Sequence, residues 1–483
     1  MNKKYIIAAA FLILGAVTQS CSNDFIEVSP TEAIPESALG EIYNNDAGAN
    51  SLVTAIYAKF LDWNMSTFAW IGVTSIVSDD ADKGSSASDS GSDKDILDAL
   101  TFTASTPSFK ELFASNYQGI NRCNQALKYL PQLDKADPQL RERLAGEAKF
   151  LRAFMYFTLV RSFGGVPLVD HVPVTGVEAD KLMTLTRKSK EEIYAFIEKD
   201  LKEAAAVLPS KTGGERATKG AAHALLAKVY LYQKKWQLAV DEANLVTGYS
   251  LTPIFQDIYK VSGENNAESI FEINGSGGTA GRAIQQYSQV QGARGTTGWG
   301  WGFATPTQGL YDAYSATDSR RDATIIHRDM TLYDGYYVGP NTENKFYNYK
   351  AYSSNYRDQA STDVNIRYLR YAEVLLIKAE AMNELGQTSA AIPFLNQVRN
   401  RANIGNTPAS SQADVRLDIW KQRRLELAFE HDRWFDLVRT GQAQAAMAAD
   451  GGKKFIVGKH ELFPLPQDFI MEAGGLSAQN PGY

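Results

Sequence analysis

The chain has 483 residues, with 49 Lys and Arg against 55 Asp and Glu, a formal net charge of −6 and 44% hydrophobic residues. That balance gives no footing for electrostatic binding of nucleic acid or anionic lipid. The only cysteines, Cys21 and Cys123, leave no material for a thiolate metal site, a redox pair or a disulfide framework.

The amino terminus reads MNKKYIIAAAFLILGAVTQSC, with Lys3 and Lys4 before an apolar run from Tyr5 to Val17. The run is too short to span a bilayer, so residues 1–20 are expected to be a secretory signal that is removed. Their loss takes away two lysines and no acid, moving the net charge to −8. Cys21 directly after such a signal is the arrangement of a bacterial lipoprotein, in which acyl chains on the cysteine hold the chain on a membrane. Thr18 stands where such signals usually carry leucine. No Pro- or Ser-rich linker halves the remainder, so residues 21–483 are read as one large domain.

Helical periodicity is weak but present around 41–60, 107–130, 139–162 and 187–207, and Cys123 is expected to be a small buried helix residue. It is strong in GAAHALLAKVYLYQKKWQLAVDEANLV, where Ala227 and Ala239 are small residues at a helix crossing and Tyr230 and Trp236 fill the space between. In LRYAEVLLIKAEAMNELGQTSAAIPFLNQV the same offset recurs as Ala379 and Ala391, with Gly386 at the turn and Pro393 slightly weakening the second helix. Small residues at crossings with bulky ones between them are the tetratricopeptide pattern. The fold expected is mainly α, a tetratricopeptide-like scaffold. Residues 62–106 and 255–365 lack periodicity and read as irregular lobes, longer than connections require and suited to carry a ligand site.

Within the first lobe, DKGSSASDSGSDKD (82–95) alternates acids with small residues but fails the EF-hand template, with Lys94 where glycine is required and Leu100 where the last glutamate belongs. It reads as a mobile hydrophilic loop, with a calcium site of another kind left open. In the second, RGTTGWGWGFATPTQGLYDAY (294–314) spaces Trp299, Trp301 and Phe303 with single glycines. On extended backbone the three rings would share one face, forming either a buried plug, with glycine allowing close backbone approach, or an exposed platform.

At AGEAKFLRAFMYFTLVRSFGGVPLV (145–169) the sequence closely resembles the signature of the SusD/RagB family of Bacteroidetes surface lipoproteins. RATKGAAHALLAKVYLY, NNAESIFEI, PTQGLYDAY followed by DSRRD, LRYAEVLLIKAEAMNELG, VRNRA, RRLELAFEHDRWFDLVRTG, LFPLPQDFI and the terminal QNPGY follow in the family order, across nearly the whole mature chain. The resemblance implies a lipid-anchored protein on the outer face of the outer membrane that closes over a SusC-like TonB-dependent transporter and hands it glycans or, in some members, peptides. It implies no catalysis and no cofactor.

Most of these motifs read as structural. FGGVPLV is a helix stop rather than a phosphate loop. In RRLELAFEHDRWFDLVRTG, Leu425, Ala428, Phe429 and Phe435 fall on one helical stripe, and Arg423, Glu426, Glu430 and Arg433 are spaced for ion pairs along it. Glu430, His431 and Asp436 are not spaced as a metal or catalytic group, and no metal site is expected.

A pyranose stacks its C–H face on an aromatic ring and pairs its hydroxyls with planar donors and acceptors. Trp236, Trp420 and Trp434 lie in helical patterns and are expected to pack. Trp299 and Trp301 are the leading ligand-binding candidates, then Trp63 and Trp70, with Arg294, Asp79 and Asp80 as polar partners and Tyr336 and Tyr337 as further rings. Surface charge or a transporter interface accounts for Asp79 and Asp80 equally well. The function predicted is surface capture of an oligo- or polysaccharide for a transporter. Capture of peptides or glycopeptides, and a mainly structural lid, are the alternatives. An enzyme ranks below them, since the irregular regions hold no convincing acid pair.

Overall fold

The computed structural model describes residues 43–89, 91, 93–210, 215–277, 283–355, 357 and 359–483. The signal at 1–20 and the lipidation site Cys21 lie outside the described residues, as do Ser90 and Ser92 of the 82–95 segment.

The scaffold is helical. It consists of α1 (Asp46–Lys59), α2 (Pro107–Tyr129), α3 (Pro138–Phe163), α4 (Lys190–Val207), α5 (Lys219–Tyr232), α6 (Trp236–Leu245), α7 (Tyr371–Glu384), α8 (Thr388–Arg401), α9 (Gln412–Glu426) and α10 (Arg433–Thr440). Local chemistry sets the ends. Pro138 opens α3 behind Asp137, whose side chain accepts from the Leu140 amide at 2.8 Å. Ser189 and Glu192 form a reciprocal capping box on α4. Gly164, with φ +74°, ends α3 at the FGG turn as expected of a helix stop.

Helices α5/α6 and α7/α8 pack as the two hairpins the alanine spacing predicts, with Ala227, Ala239, Ala379 and Ala391 all fully buried. Only small side chains let two helix backbones approach that closely. Between α3 and α4 a buried Arg152–Asp200 pair is bidentate, with both contacts at 2.8 Å, and Asn124 of α2 accepts a third Arg152 hydrogen bond at 2.7 Å. Cys123 is buried and free on α2, as expected.

The two irregular stretches are not structureless. The first holds short helical turns and a strand, Ala81–Gly84; the second is knitted by short strands into antiparallel pairs, each sheet among the described residues having two strands. Two of these pairings tie the lobes to each other and to the scaffold. Ala81–Gly84 pairs with Phe303–Pro306, joining the lobes with Gly84 opposite Phe303. Ser269–Ile273 pairs with Ile366–Arg370, with bulges near Leu369 that lead directly into α7.

The expected single stripe through RRLELAFEHDRWFDLVRTG is broken. Helix α9 ends at Glu426, Phe429 and His431 take φ of +62° and +70°, and α10 starts afresh at Arg433. Arg423, Glu426, Glu430 and Arg433 therefore do not pair with one another, and apart from the Arg423–Asp436 contact their partners lie outside the motif. Glu426 meets Arg320, Arg370 and Arg401, Glu430 meets Arg370 and Lys350, Arg423 meets Asp436 and Glu373, and Arg433 meets Asp79 and Asp80. Buried carboxylates need such partners, because leaving one unpaired costs several kcal/mol.

The terminal QNPGY is a clasp. Asn480 Nδ2 donates to the carbonyls of Phe163 (2.9 Å) and Phe463 (2.7 Å), while its oxygen accepts from Arg187 (2.7 Å). This ties the last residues to the end of α3.

Candidate functional site

The ribbon 294–303 does not run as extended backbone. The amides of Trp299 and Gly300 both donate to the Ala293 carbonyl at 2.8 Å, and the Trp301 amide donates to Gln289 at 2.8 Å. The curl sends Trp299 one way and Trp301 with Phe303 the other, so the three rings do not share a face. Glycine is required for it: a Cβ on Gly292 would lie 2.3 Å from Trp299 Nε1, and one on Gly300 would lie 2.4 Å from the Gln289 carbonyl.

Trp299 is 8% exposed, set edge-on to Tyr336 (5.5 Å between centroids) and Tyr352 (5.1 Å) within an aromatic cluster that includes Tyr347 and Tyr349. This matches the plug half of the expectation, and its indole N–H finds no acceptor among the described residues. Trp70 is 3% exposed, packed on Tyr368 and His431. The cavity it lines with His431 and Asp432 holds about 10 Å³, no more than one water. Trp70 is a core residue in this structure, and its ring cannot meet a ligand without local opening.

Trp301 and Trp63 are half-buried and adjacent, with centroids 6.2 Å apart. Phe68 packs against both, at 5.9 and 5.1 Å, and also meets Phe303 at 4.8 Å. The result is a shelf of three half-buried rings contributed by both irregular lobes and backed by Phe303. Sequence reading missed Phe68 because in the first lobe it considered only the tryptophans, although Phe68 lies between Trp63 and Trp70.

Arg294 stands at the edge of this shelf. Its guanidinium reaches the Trp301 carbonyl (3.4 Å), Ser85 (2.7 Å), Asp89 (2.7 Å) and Glu343 (2.8 Å). Asp89 is held below the usual carboxylate range by Arg294 first and then Ser85. The described part of the 82–95 segment is anchored rather than loose, through Asp89 to Arg294, Lys83 to Asp95, and Asp93 to Lys94 and Ser108.

Beyond Trp299, Tyr336 is half-buried, with Arg357 4.2 Å above its ring and its hydroxyl donating to Thr297, while Tyr337 is 49% exposed and donates to Asp329. Asp79 and Asp80 lie elsewhere, buried beneath Arg424 and Arg433. Burial raises the Asp79 carboxyl, but the charges of Arg433 and Arg424 outweigh it and hold the group below its ordinary value. These acids join the 81–84 strand to α9 and α10 and present no free oxygen edge to solvent.

Glu430, His431 and Asp436 do not converge on a common ligand position. His431 bonds with Thr74 Oγ1 (2.8 Å) and the Tyr287 hydroxyl (3.2 Å), and burial pushes its imidazole down to about 4. Asp436 is taken by Arg423 and Arg439. Among the described residues no group of three His, Cys, Asp or Glu side chains is placed to hold a metal ion, and no helix is long and apolar enough to cross a membrane.

Comparison with known proteins gives this architecture a family. A family model described as "SusD family" matches residues 334–483, and one described as "Starch-binding associating with outer membrane" matches residues 24–231. SusD-like protein P2 of Formosa agariphila is 29% identical over 524 aligned positions that span all of both chains. Starch-binding protein SusD of Bacteroides thetaiotaomicron is 25% identical across 71% of this chain and 73% of its own. The solved structure of a laminarin-binding SusD-like protein superposes with a TM-score of 0.76 at 28% identity, covering 91% of this chain and 100% of that one. Two family models at opposite ends, a relative aligned over its full length and a shared fold agree with the motifs that run from residue 145 to the carboxyl terminus, and the chain belongs to the SusD/RagB family.

Proposed function

We propose that this protein is a cell-surface glycan-binding lipoprotein that captures an oligo- or polysaccharide on the Trp63–Phe68–Trp301 shelf and delivers it to a SusC-like TonB-dependent transporter in the outer membrane. The observation that carries the reading is the pair of half-buried, adjacent indoles of Trp63 and Trp301, drawn from two separate lobes and backed by Phe68. Rings fixed by packing lose little freedom when a sugar stacks on them, so the ordering cost of binding is small. Arg294, Asp89 and Glu343 supply planar donors and acceptors at the edge, where ring hydroxyls need them. Tyr336, which packs edge-on against the buried Trp299, and the exposed Tyr337 extend the surface. Relatives named for laminarin and starch binding favour a glycan over a peptide as the cargo. Anchoring through acylated Cys21 completes the proposal.

The test is calorimetric titration of the chain without residues 1–21 against laminarin, starch and other plant, fungal and host polysaccharides, beside Trp301→Ala and Trp63→Ala. Each variant should lose about 1 kcal/mol, roughly fivefold in Kd, for the glycan bound by the wild type. Folded variants that bind that glycan as tightly as the wild type refute the shelf.

A further inference from the structure

A second aromatic groove lies in the helical scaffold, on residues that sequence reading assigned to packing. A cavity of about 270 Å³ opens where α5 and α6 meet α7, α9 and α10, lined by Trp236, Trp420, Tyr232, Lys234, Arg416 and Glu384 among others. An adjoining cavity of about 280 Å³ shares Tyr232, Lys234 and Arg439 with it and continues past Tyr194 and Phe435.

Trp236 and Trp420 are both half-buried, and among the described residues neither ring packs against another aromatic ring. Helix α6 buries its alanines, Ala239 and Ala243, rather than the Trp236 ring in full. The polar groups around the two indoles are fixed. Glu380 accepts from both Arg439 terminal nitrogens (2.6 and 2.9 Å) and from Trp420 Nε1 (3.2 Å), and Glu384 is bidentate with Arg416 (2.5 and 2.8 Å). Lys234 is exposed at the junction of the two cavities and its ammonium has no protein partner among the described residues.

The lining decides between occupants. A docked amphipathic helix needs an aliphatic trough, and Leu231 is the one aliphatic side chain among the described residues lining the Trp236–Trp420 cavity. A quaternary ammonium needs net negative rings and acids, whereas Lys234, Arg416 and Arg439 outnumber Glu380 and Glu384 here. Unstacked indoles, planar charged groups already oriented, and one free ammonium suit a hydroxylated ring with an apolar face. We propose that this groove is a second carbohydrate-binding site, independent of the loop shelf, in which Trp236 and Trp420 contact a pyranose face and Lys234 donates to its oxygens.

The seven tryptophans make the proposal readable site by site. The chain without residues 1–21 is labelled with 5-fluorotryptophan, its fluorine resonances are assigned by single Trp→Phe variants, and it is titrated to about 10 mM with laminarihexaose, maltohexaose, cellohexaose and hexagalacturonate. The expected result is a saturable shift of the Trp236 and Trp420 resonances with at least one of these. It should persist in the Trp63→Ala/Trp301→Ala double variant and be weakened at least about tenfold by Lys234→Glu, as loss of a charged donor requires. Lys234 is exposed, so that variant tests the site without disturbing packing. The proposal is overturned if Trp236 and Trp420 stay unmoved by all four sugars, if their shifts vanish in the double variant, or if Lys234→Glu leaves them unchanged. Trp63 and Trp301 resonances that stay unmoved in the unsubstituted protein, while those of Trp236 and Trp420 shift, would refute the shelf and leave this site standing.

Discussion

Glu430 is the sharpest place to perturb the frame that holds the two lobes to the scaffold. Its carboxylate accepts from Arg370 at 2.7 and 2.8 Å, from Lys350 at 2.6 Å and from the Tyr259 hydroxyl at 2.7 Å, all in the interior. Burial raises the carboxyl, but Arg370 and Lys350 overcome that and hold it at about 2 instead of the usual 4.5. A group so held contributes about 3 kcal/mol of stability that is complete above the unfolded value and drains as pH falls toward the folded one. Glu430→Gln keeps the shape and removes the charge, leaving Arg370 and Lys350 short of an acid, at a cost of about 3–5 kcal/mol. For a chain of this length the unfolding entropy is roughly 1 kcal/mol per degree, so Tm should fall by about 3–5 °C at pH 7. The gap between wild type and variant should then narrow on acidification, with roughly 2 kcal/mol of it gone by pH 3. Scanning calorimetry from pH 7 to pH 3 reads both effects. A variant within about 1 °C of wild type at pH 7, or a gap that stays constant down to pH 3, would refute the reasoning.

Three further outcomes are expected. His431, held neutral by burial with its imidazole at about 4, contributes stability that is complete above about 6.5 and is lost as pH falls toward 4; its ring protons in NMR spectra should titrate near the lower value, and titration near 6.5 would contradict the burial. Gly292→Ala drives a methyl against Trp299 Nε1, 2.3 Å away, and should cost about 1–3 kcal/mol in urea unfolding while weakening binding to the Trp63–Trp301 shelf; an unchanged midpoint would show that the ribbon yields freely. Asn480→Ala strips hydrogen bonds from the carbonyls of Phe163 and Phe463 and from Arg187, and should lower stability by about 2–3 kcal/mol, checked by the same urea midpoint.

The helical scaffold was legible because its signals are local. Alanines twelve residues apart announce two hairpins, and apolar periodicity around 107–130, 139–162 and 187–207 marks helices that the structure places at Pro107–Tyr129, Pro138–Phe163 and Lys190–Val207. The break after Glu426 was not legible, since the motif around it keeps helical spacing throughout. What opens the helix there is the demand of distant groups. Glu426, Glu430 and Arg433 each serve partners from other elements, from Asp79 to Arg401, and a continuous helix would hold them three and four positions apart on one face.

The same contrast runs through the candidate site. Composition alone marked residues 62–106 and 255–365 as the lobes to search, and the rings at Trp63 and Trp301 lie where that reasoning pointed. Which indole remains partly open depends on how the backbone curls, and periodicity says nothing about a curl set by two amides sharing the Ala293 carbonyl. Trp299 and Trp301 are two residues apart in sequence, yet they belong to different clusters. Conversely, Trp236 and Trp420 carry a helical pattern that suggests packing, because periodicity reports which side of a helix is apolar and not whether a neighbour covers it. Coverage is a property of the assembled scaffold, and there the hairpins leave a gap lined by two indoles. If the second site proposed above binds sugar, the number of sugar sites in such a protein is set by the packing of its scaffold as much as by its loops.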